Sequence, residues 1–318
     1  MSSPSPRRSV LVVGCGGMGA IFAAKLAAVA DVVGYDTGAA HVEAIARDGL
    51  HVGGVSSHHV RIDVTADPAQ LAGRHFDAVL LLVKSAQTGA AVRALLPFTG
   101  TGALWATLQN GMGNVEEMSA FEGLQVARGV TMDAGSYLGP GRVEHLVRGQ
   151  DTWLGPVNAP LEACEWLAAL LSEAGLPARA VADPMSAVWS KFVFNSVMNP
   201  VGALLLGVNA ARYEVAEVRE LIDDMAGECM RVVQALGGSF AFDPMAFVGR
   251  VRRGEVPLSK HCGSMALDIR RGAPTEIEQL TGYVVREAAR LGLEVPVCRT
   301  VYRLVKGLEH ARALAPAS

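Results

Sequence analysis

The sequence predicts an α/β fold in two parts, a doubly wound sheet domain followed by an all-α helical domain. Three observations predict it. Short apolar runs alternate with helical patterns through the first half, as in parallel sheets covered on both faces. The first run opens into a glycine turn. After Asp183-Pro184, strand signals nearly vanish and long helical patterns take over. The boundary therefore falls near residue 182, giving domains over residues 1–182 and 183–318.

Composition sets the outer limits. A chain of 318 residues has room for about two domains with ample core. Half of it is apolar and 19% is charged, the balance of a soluble globular protein. A net charge of −3 argues against nucleic acid or an anionic membrane as the main partner. The cysteines (Cys15, Cys164, Cys229, Cys262, Cys298) are scattered, odd in number and without a C-x-x-C pair. That pattern fits a reduced cytoplasm and argues against zinc. The start, M-S-S-P-S-P-R-R, has no signal-type cleavage pattern and reads as a tail. No apolar stretch is long enough to span a bilayer.

Residues 9–13, S-V-L-V-V, read as a buried parallel strand. They enter Gly14-Cys15-Gly16-Gly17-Met18-Gly19, a G-x-G-x-x-G turn, and residues 21–30 read as the helix behind it. A second strand over residues 32–35 ends at Asp36. In this strand–turn–helix–strand context the glycines are a strong dinucleotide signal of the Rossmann type. The first glycine permits the tight turn, the second lets backbone approach a pyrophosphate, and the third allows close helix–strand packing. The helix N-terminus offers amides and partial positive charge to the phosphates. Asp36 can accept from ribose hydroxyls and would repel a 2′-phosphate, which favours NAD over NADP. Capping of a helix over residues 38–48 would explain Asp36 equally well.

Residues 50–64 alternate around glycines and serines, as a β-hairpin insertion does. Further strands are expected over residues 77–83, 103–108 and 126–132. Ligands of open sheets sit beyond the carboxyl ends of strands, so Lys84, Asn110 and residues 133–135, Gly135 included, should face the cofactor. Turn chemistry alone could account for Asn110-Gly111, and a solvated loop for Lys84. Residues 142–145 and 151–154 read as antiparallel additions at the sheet edge, and residues 161–174 as an amphipathic helix.

Helices are then expected over residues 185–198, 215–236, 259–271, 276–291 and 296–313. The central stretch is W-S-K-F-V-F-N-S-V-M-N-P, residues 189–200. Lys191, Asn195 and Asn199 recur every four residues, drifting about 40° per step, so they share one helix face. Phe192, Phe194 and Met198 border this stripe. Buried amides and ammonium groups need partners, so the stripe is expected to line a cleft for a polar ligand; a surface lysine beside two structural amides is the plainer alternative. Ser264 and Asp268 lie one helical turn apart. Thr275 with Glu278 fits a capping box, which leaves Glu276 for another role or as favourable charge at a helix start. Asn209 alone is uninformative.

At this point the chain resembles the ketopantoate reductase, or 2-dehydropantoate 2-reductase, family. The matching pieces are the glycine turn, L-L-V-K ending at Lys84, Q-N-G-M-G-N from Gln109, and G-P-G-R-V from Gly139. W-S-K-F-x-F-N-S-x-x-N-P, S-M-x-x-D-I-R-R-G-x-x-T-E-I from Ser264 and V-P-V-C-R-T-V-Y from Val295 complete the series, in order along nearly the whole chain. The resemblance implies reduction of 2-dehydropantoate to (R)-pantoate, a step of pantothenate biosynthesis, with NADP(H); Asp36-Thr37, where the family has a basic residue, makes NAD(H) possible. It implies Lys191 as proton donor and Glu276 as the group holding the lysine–substrate network and touching the cofactor ribose. It implies Asn195, Asn199 and Ser264 on the substrate's hydroxyl and carboxylate, Asn110 bridging cofactor and substrate, and, on a looser match, Asn209 as a further substrate contact.

The chemistry is consistent. Attack on a ketone builds negative charge on oxygen, which an ammonium can stabilise and protonate. A desolvated lysine is brought nearer neutral pH, and a carboxylate such as Glu276 opposes that shift while orienting the amine. No metal is required, since the histidines form no ligand cluster. The expected partners are a small 2-oxo acid and a second copy of the chain, in the cytoplasm. A paralogue acting on another 2-oxo acid or carbonyl, and a non-catalytic dinucleotide sensor, are the alternatives.

Overall fold

The computed structural model describes residues 7–99, 102–149, 151–258 and 262–314, with side chains through residue 311. The expected tail at residues 1–6 and the helical reading of residues 259–261 lie outside the described residues. The chain forms two compact units, residues 1–109 with 113–184, and residues 110–112 with 185–318.

The first unit contains β1 (Ser9–Val13), α1 (Gly17–Leu26), β2 (Asp31–Tyr35), α2 (Ala39–Asp48), β3 (Leu50–Gly54), β4 (His58–Val60) and β5 (Asp63–Thr65). It continues with β6 (Ala78–Leu81), α3 (Thr88–Leu95), β7 (Leu104–Thr107), α4 (Asn114–Ser119), β8 (Gln125–Val130) and β9 (Ala134–Gly139). It ends with β10 (Arg142–Val147), β11 (Thr152–Pro156), α5 (Leu161–Glu173) and β12 (Ala178–Ala180). The main sheet runs β12-β11-β8-β7-β6-β1-β2-β5. From β8 to β5 all neighbours are parallel. The order reverses at β1, between β6 and β2, the crossover point at which doubly wound sheets bind ligands. Strand β1 shows why the sheet needs two covers. Val10 and Val12 enter one core with Phe22 and Leu26 of α1 and Leu167 and Leu171 of α5. Leu11 and Val13 enter the other, with Leu95, Trp105 and Met118.

Strand β10 is not an edge addition to this sheet. It pairs antiparallel with β9 and parallel with β3, in a second sheet ordered β4-β3-β10-β9. Its period-2 burial would suit either sheet, and pairing partners are not written in a strand's own alternation. Helix α1 packs against β2 of the main sheet and β3, β9 and β10 of the second, which explains why Gly19–Leu26 are buried all round. The predicted hairpin is narrower than expected. β3 and β4 form it, while β5 leaves to extend the main sheet beside β2. β11 does join antiparallel to β8.

The second unit is helical among its described residues: α6 (Met185–Leu204), α7 (Ala211–Glu214), α8 (Ala216–Ala235), α9 (Ala246–Arg252), α10 (Ser264–Arg271), α11 (Thr281–Leu291) and α12 (Pro296–Leu314). Helix α6 is its centre and packs against α8, α10, α11 and α12. Trp189, Phe192 and Tyr283 form an edge-on aromatic cluster beside it.

Several boundaries differ from expectation for local reasons. Helix α1 starts at Gly17, inside the glycine turn, with Gly16 as N-cap. Helix α6 runs through Pro200 to Leu204. Helix α11 starts at Thr281, not at residue 276, so the capping box does not form. Instead Thr275 bonds Glu309 through both its amide, at 2.9 Å, and its hydroxyl, at 2.7 Å. Glu278 bonds Tyr302 at 2.9 Å and Arg286 at 2.9 Å.

Candidate functional site

In the first unit, Gly14 follows β1 with φ of +88°, and a Cβ there would lie 2.8 Å from Val83. Both the turn and the close approach to the segment after β6 therefore demand glycine. A Cβ on Gly17 would meet the Gly135 carbonyl at 2.7 Å, and one on Gly19 would meet the Gly14 carbonyl at 1.8 Å. Gly16 differs: a Cβ there would meet nothing within 4 Å. The turn is thus tight against protein on every side except at Gly16, where a ligand's backbone-hugging group has room. The first amides of α1, from Gly17 and Met18, have no partner within a helix by construction. This is a cradle that fits a dinucleotide pyrophosphate.

Three bonds hold that cradle. Gly14 donates its amide to Tyr35 at 2.8 Å. Cys15 donates its amide to Asp36 Oδ2 at 2.8 Å. His41, buried, accepts from the Gly141 amide at Nδ1 (2.9 Å), so its Nε2–H donates to the Cys15 carbonyl at 2.7 Å. The Cys15 side chain points inward, and burial, then the nearby Asp36 charge, push its thiol pKa far up. Asp36 Oδ1 accepts from the Gly38 amide at 2.8 Å. Gly38 is itself the N-cap residue of α2, so Asp36 closes an Asx turn before the helix instead of capping it. Lys84 is exposed just past β6, and Gly135 lies in β9 with its backbone against Gly17.

In the second unit, α6 carries Lys191 and Asn199, both half-buried, and Asn195, buried. Asn195 donates its side-chain amide to Asn110 Oδ1 at 3.2 Å. The short strap of residues 110–112 is held at its other end, where Met112 donates its amide to the Gln279 carbonyl at 2.9 Å. Gln279 belongs to the turn of residues 276–280 that begins with Glu276. Arg212, buried in α7, bonds Asn209 and two backbone carbonyls near other predicted residues. It donates to the Met198 carbonyl, next to Asn199, at 3.1 Å, to Asn209 Oδ1, and to the Cys262 carbonyl, two residues before Ser264, at 3.4 Å. Burial pulls its pKa below the ordinary arginine value.

Within this unit Asn195 is thus bonded to Asn110 and Asn209 to Arg212, while the bonds to Met198, Cys262 and Gln279 reach the chain beside Asn199, Ser264 and Glu276. Sequence reasoning missed His41 and Arg212, which look like ordinary helical residues; their partners lie elsewhere in the chain. Among the described residues no group of three or more His, Cys, Asp or Glu could hold a metal ion.

A nucleotide-cradling doubly wound unit followed by a helical unit with a lysine–amide face defines a dehydrogenase-type chain. The ketopantoate reductase PanE/ApbA family model matches residues 10–159, and the model of the same family's C-terminal part matches residues 183–309. The 2-dehydropantoate 2-reductase of Halobacterium salinarum is 31% identical over 306 residues, covering 93% of this chain and 97% of that one. That of Archaeoglobus fulgidus is 27% identical over 305 residues, 94% and 97%. Among solved structures, a PanE/ApbA family ketopantoate reductase from Ralstonia eutropha JMP134 is similar with a TM-score of 0.84 at 28% identity, covering 96% of this chain and 99% of that one. D-mandelate dehydrogenase with NADH and anilino(oxo)acetate shares the fold, with a TM-score of 0.85 at 22% identity, covering 95% and 99%. The chain belongs to the ketopantoate reductase family. It is an oxidoreductase of an NAD(P)H-binding family. Among the described residues no helix is long and apolar enough to cross a membrane.

Proposed function

We propose that this protein reduces a 2-oxo acid to the 2-hydroxy acid with NAD(P)H, with 2-dehydropantoate giving (R)-pantoate as its reaction. The observation that carries the reading is the α6 face of Lys191, Asn195 and Asn199, with Asn195 bonded to Asn110. Residues 1–182 act as the dinucleotide-binding domain and residues 183–318 as the substrate-binding domain. When bound, the reduced nicotinamide supplies a hydride to the carbonyl carbon. Gly14 to Gly19 hold the pyrophosphate, Asp36 faces the ribose, and Lys84 and Gly135 border the same groove.

The chain's own groups do the rest. The Lys191 ammonium stabilises charge on the carbonyl oxygen and delivers its proton there. Glu276 orients that ammonium and reaches the ribose. Asn195, Asn199, Asn209 and Ser264 hold the substrate's hydroxyl and carboxylate, while Asn110 orders nucleotide and acid together. A second reading, an NADH-linked paralogue for another 2-oxo acid, is favoured by Asp36 alone. The reading includes a cytoplasmic location and a homodimer; free cysteines and exposed apolar Leu206, Val208 and Leu304 are compatible with both.

The test is steady-state oxidation of NADPH and NADH with 2-dehydropantoate and a panel of 2-oxo acids, for wild type and Lys191→Ala. Turnover with 2-dehydropantoate that falls about 100-fold or more in the variant, with dinucleotide affinity kept, supports the reading. Wild-type turnover of no 2-oxo acid, or unchanged turnover in the variant, overturns it. Light scattering reads the oligomeric state.

A further inference from the structure

Pro200 sits inside α6 and has no N–H, so the Ser196 carbonyl four residues earlier loses its helical donor. Ser196 is fully buried, so water cannot replace that donor, and an unpaired buried carbonyl is costly. Thr281, also fully buried, donates its hydroxyl to that carbonyl at 2.7 Å. The bond closes a ring. Asn195, next to Ser196, bonds Asn110. Met112 bonds Gln279. Gln279 lies two residues before Thr281, which returns to Ser196. The close approach of strap and turn is part of the ring: a Cβ on Gly111 would lie 2.6 Å from the Gln279 carbonyl.

We propose that Thr281 is a positioning residue for the reduction: by holding the carbonyl freed by Pro200, it fixes α6 between Asn195 and Asn199 and sets the Asn195 amide against the strap beside the turn that carries Glu276. The inference rests on the proposed reduction, because the ring contains the residues assigned to substrate. It differs from an ordinary core hydrogen bond in what it predicts. A core bond supports stability alone. A positioning bond sets kcat and the KM of the acid, and moves the dinucleotide's KM less.

The experiment compares Thr281→Val, Thr281→Ser, Pro200→Ala and Pro200→Ala/Thr281→Val. Thr281→Val keeps the shape and removes the donor, and kcat/KM for the 2-oxo acid is expected to fall about tenfold or more. The KM for NAD(P)H is expected to shift less than that of the acid, since Asn110 and the Glu276 turn belong to the ring but no bond at the glycine turn changes. Thr281→Ser restores the donor and most of the activity. Pro200→Ala returns the helical N–H, so the double variant recovers activity relative to Thr281→Val. The same four proteins give a double-mutant cycle in thermal unfolding, with non-additive melting temperatures expected. Should Thr281→Val fail to fold, the double variant measured against Pro200→Ala carries the same comparison. Additive effects, or Thr281→Val with wild-type kcat/KM, overturn the proposal. If wild type turns over no 2-oxo acid, the assigned reaction fails separately, and the unfolding cycle together with acid binding in the presence of NAD(P)H still decides for or against the ring.

Discussion

Asn195 donates its side-chain amide to Asn110 across 3.2 Å, so a residue on the central helix of the second unit is held by a residue 85 positions earlier in the chain. Each amide fixes the other's orientation, which settles which of its atoms a ligand can meet. Asn195→Ala removes the donor and leaves the Asn110 oxygen without it. We expect kcat/KM for the 2-oxo acid to fall on the order of tenfold to 100-fold, the range for losing a buried hydrogen bond. Adding Asn110→Ala should cost less than the sum of the two single changes, as for any directly coupled pair. Steady-state kinetics on the four proteins checks this.

Asp36 should govern the choice of dinucleotide. Both of its oxygens accept backbone amides, from Cys15 and Gly38, so its carboxylate is fixed beside the cradle. A fixed negative charge there disfavours a 2′-phosphate. Asp36→Asn removes the charge while keeping one acceptor. The ratio of kcat/KM for NADPH over NADH is expected to rise about tenfold or more. An unchanged ratio would mean that Asp36 serves only to close the turn.

The chain reveals its local chemistry and hides its distant partners. β1, the glycine turn and the Lys191 stripe were readable because each depends on neighbours within a few residues. Thr281 reads as an ordinary helix residue, because its meaning comes from Pro200, 81 positions earlier. Glu278 looked like half of a capping box; Tyr302 and Arg286 claim it instead. His41 and Arg212 were invisible for the same reason. β10 alternates correctly, yet its partner β3 lies across a connection whose path its own alternation does not record.

Glu228 should be a stability residue without a catalytic part. It is buried in α8, and its two oxygens accept the amides of Val297 at 3.0 Å and Cys298 at 2.7 Å. Those are among the first amides of α12, which opens with Pro296 and has no acceptors of its own for them. A carboxylate at a helix N-terminus also meets its partial positive charge. Glu228→Ala leaves the buried Cys298 amide and the half-buried Val297 amide unpaired, at about 1–3 kcal/mol for the buried one before relaxation. The melting temperature should drop by at least several degrees, with KM values near wild type in the folded protein. A melt within about one degree of wild type would contradict the capping role.

Acid should loosen the turn that carries Glu276 through Glu309. Burial works against the Glu309 charge most strongly, but bonds from Lys306 and from the hydroxyl and amide of Thr275 together outweigh it. The folded pKa therefore lies below the ordinary value of 4.5. A depressed carboxylate pKa means the unfolded chain binds the proton more readily, so this contribution is complete above pH 4.5 and is lost as pH falls through the folded value. Glu309→Gln removes the charge at every pH. The variant should melt below wild type at pH 7, and the two melting temperatures should converge as pH is lowered below 4.5. Because Thr275 adjoins Glu276, the variant should also raise the KM of the 2-oxo acid at pH 7 more than that of NAD(P)H. A gap in melting temperature that stays constant through the acid range would show that the Glu309 charge contributes nothing and that only its hydrogen bonds matter.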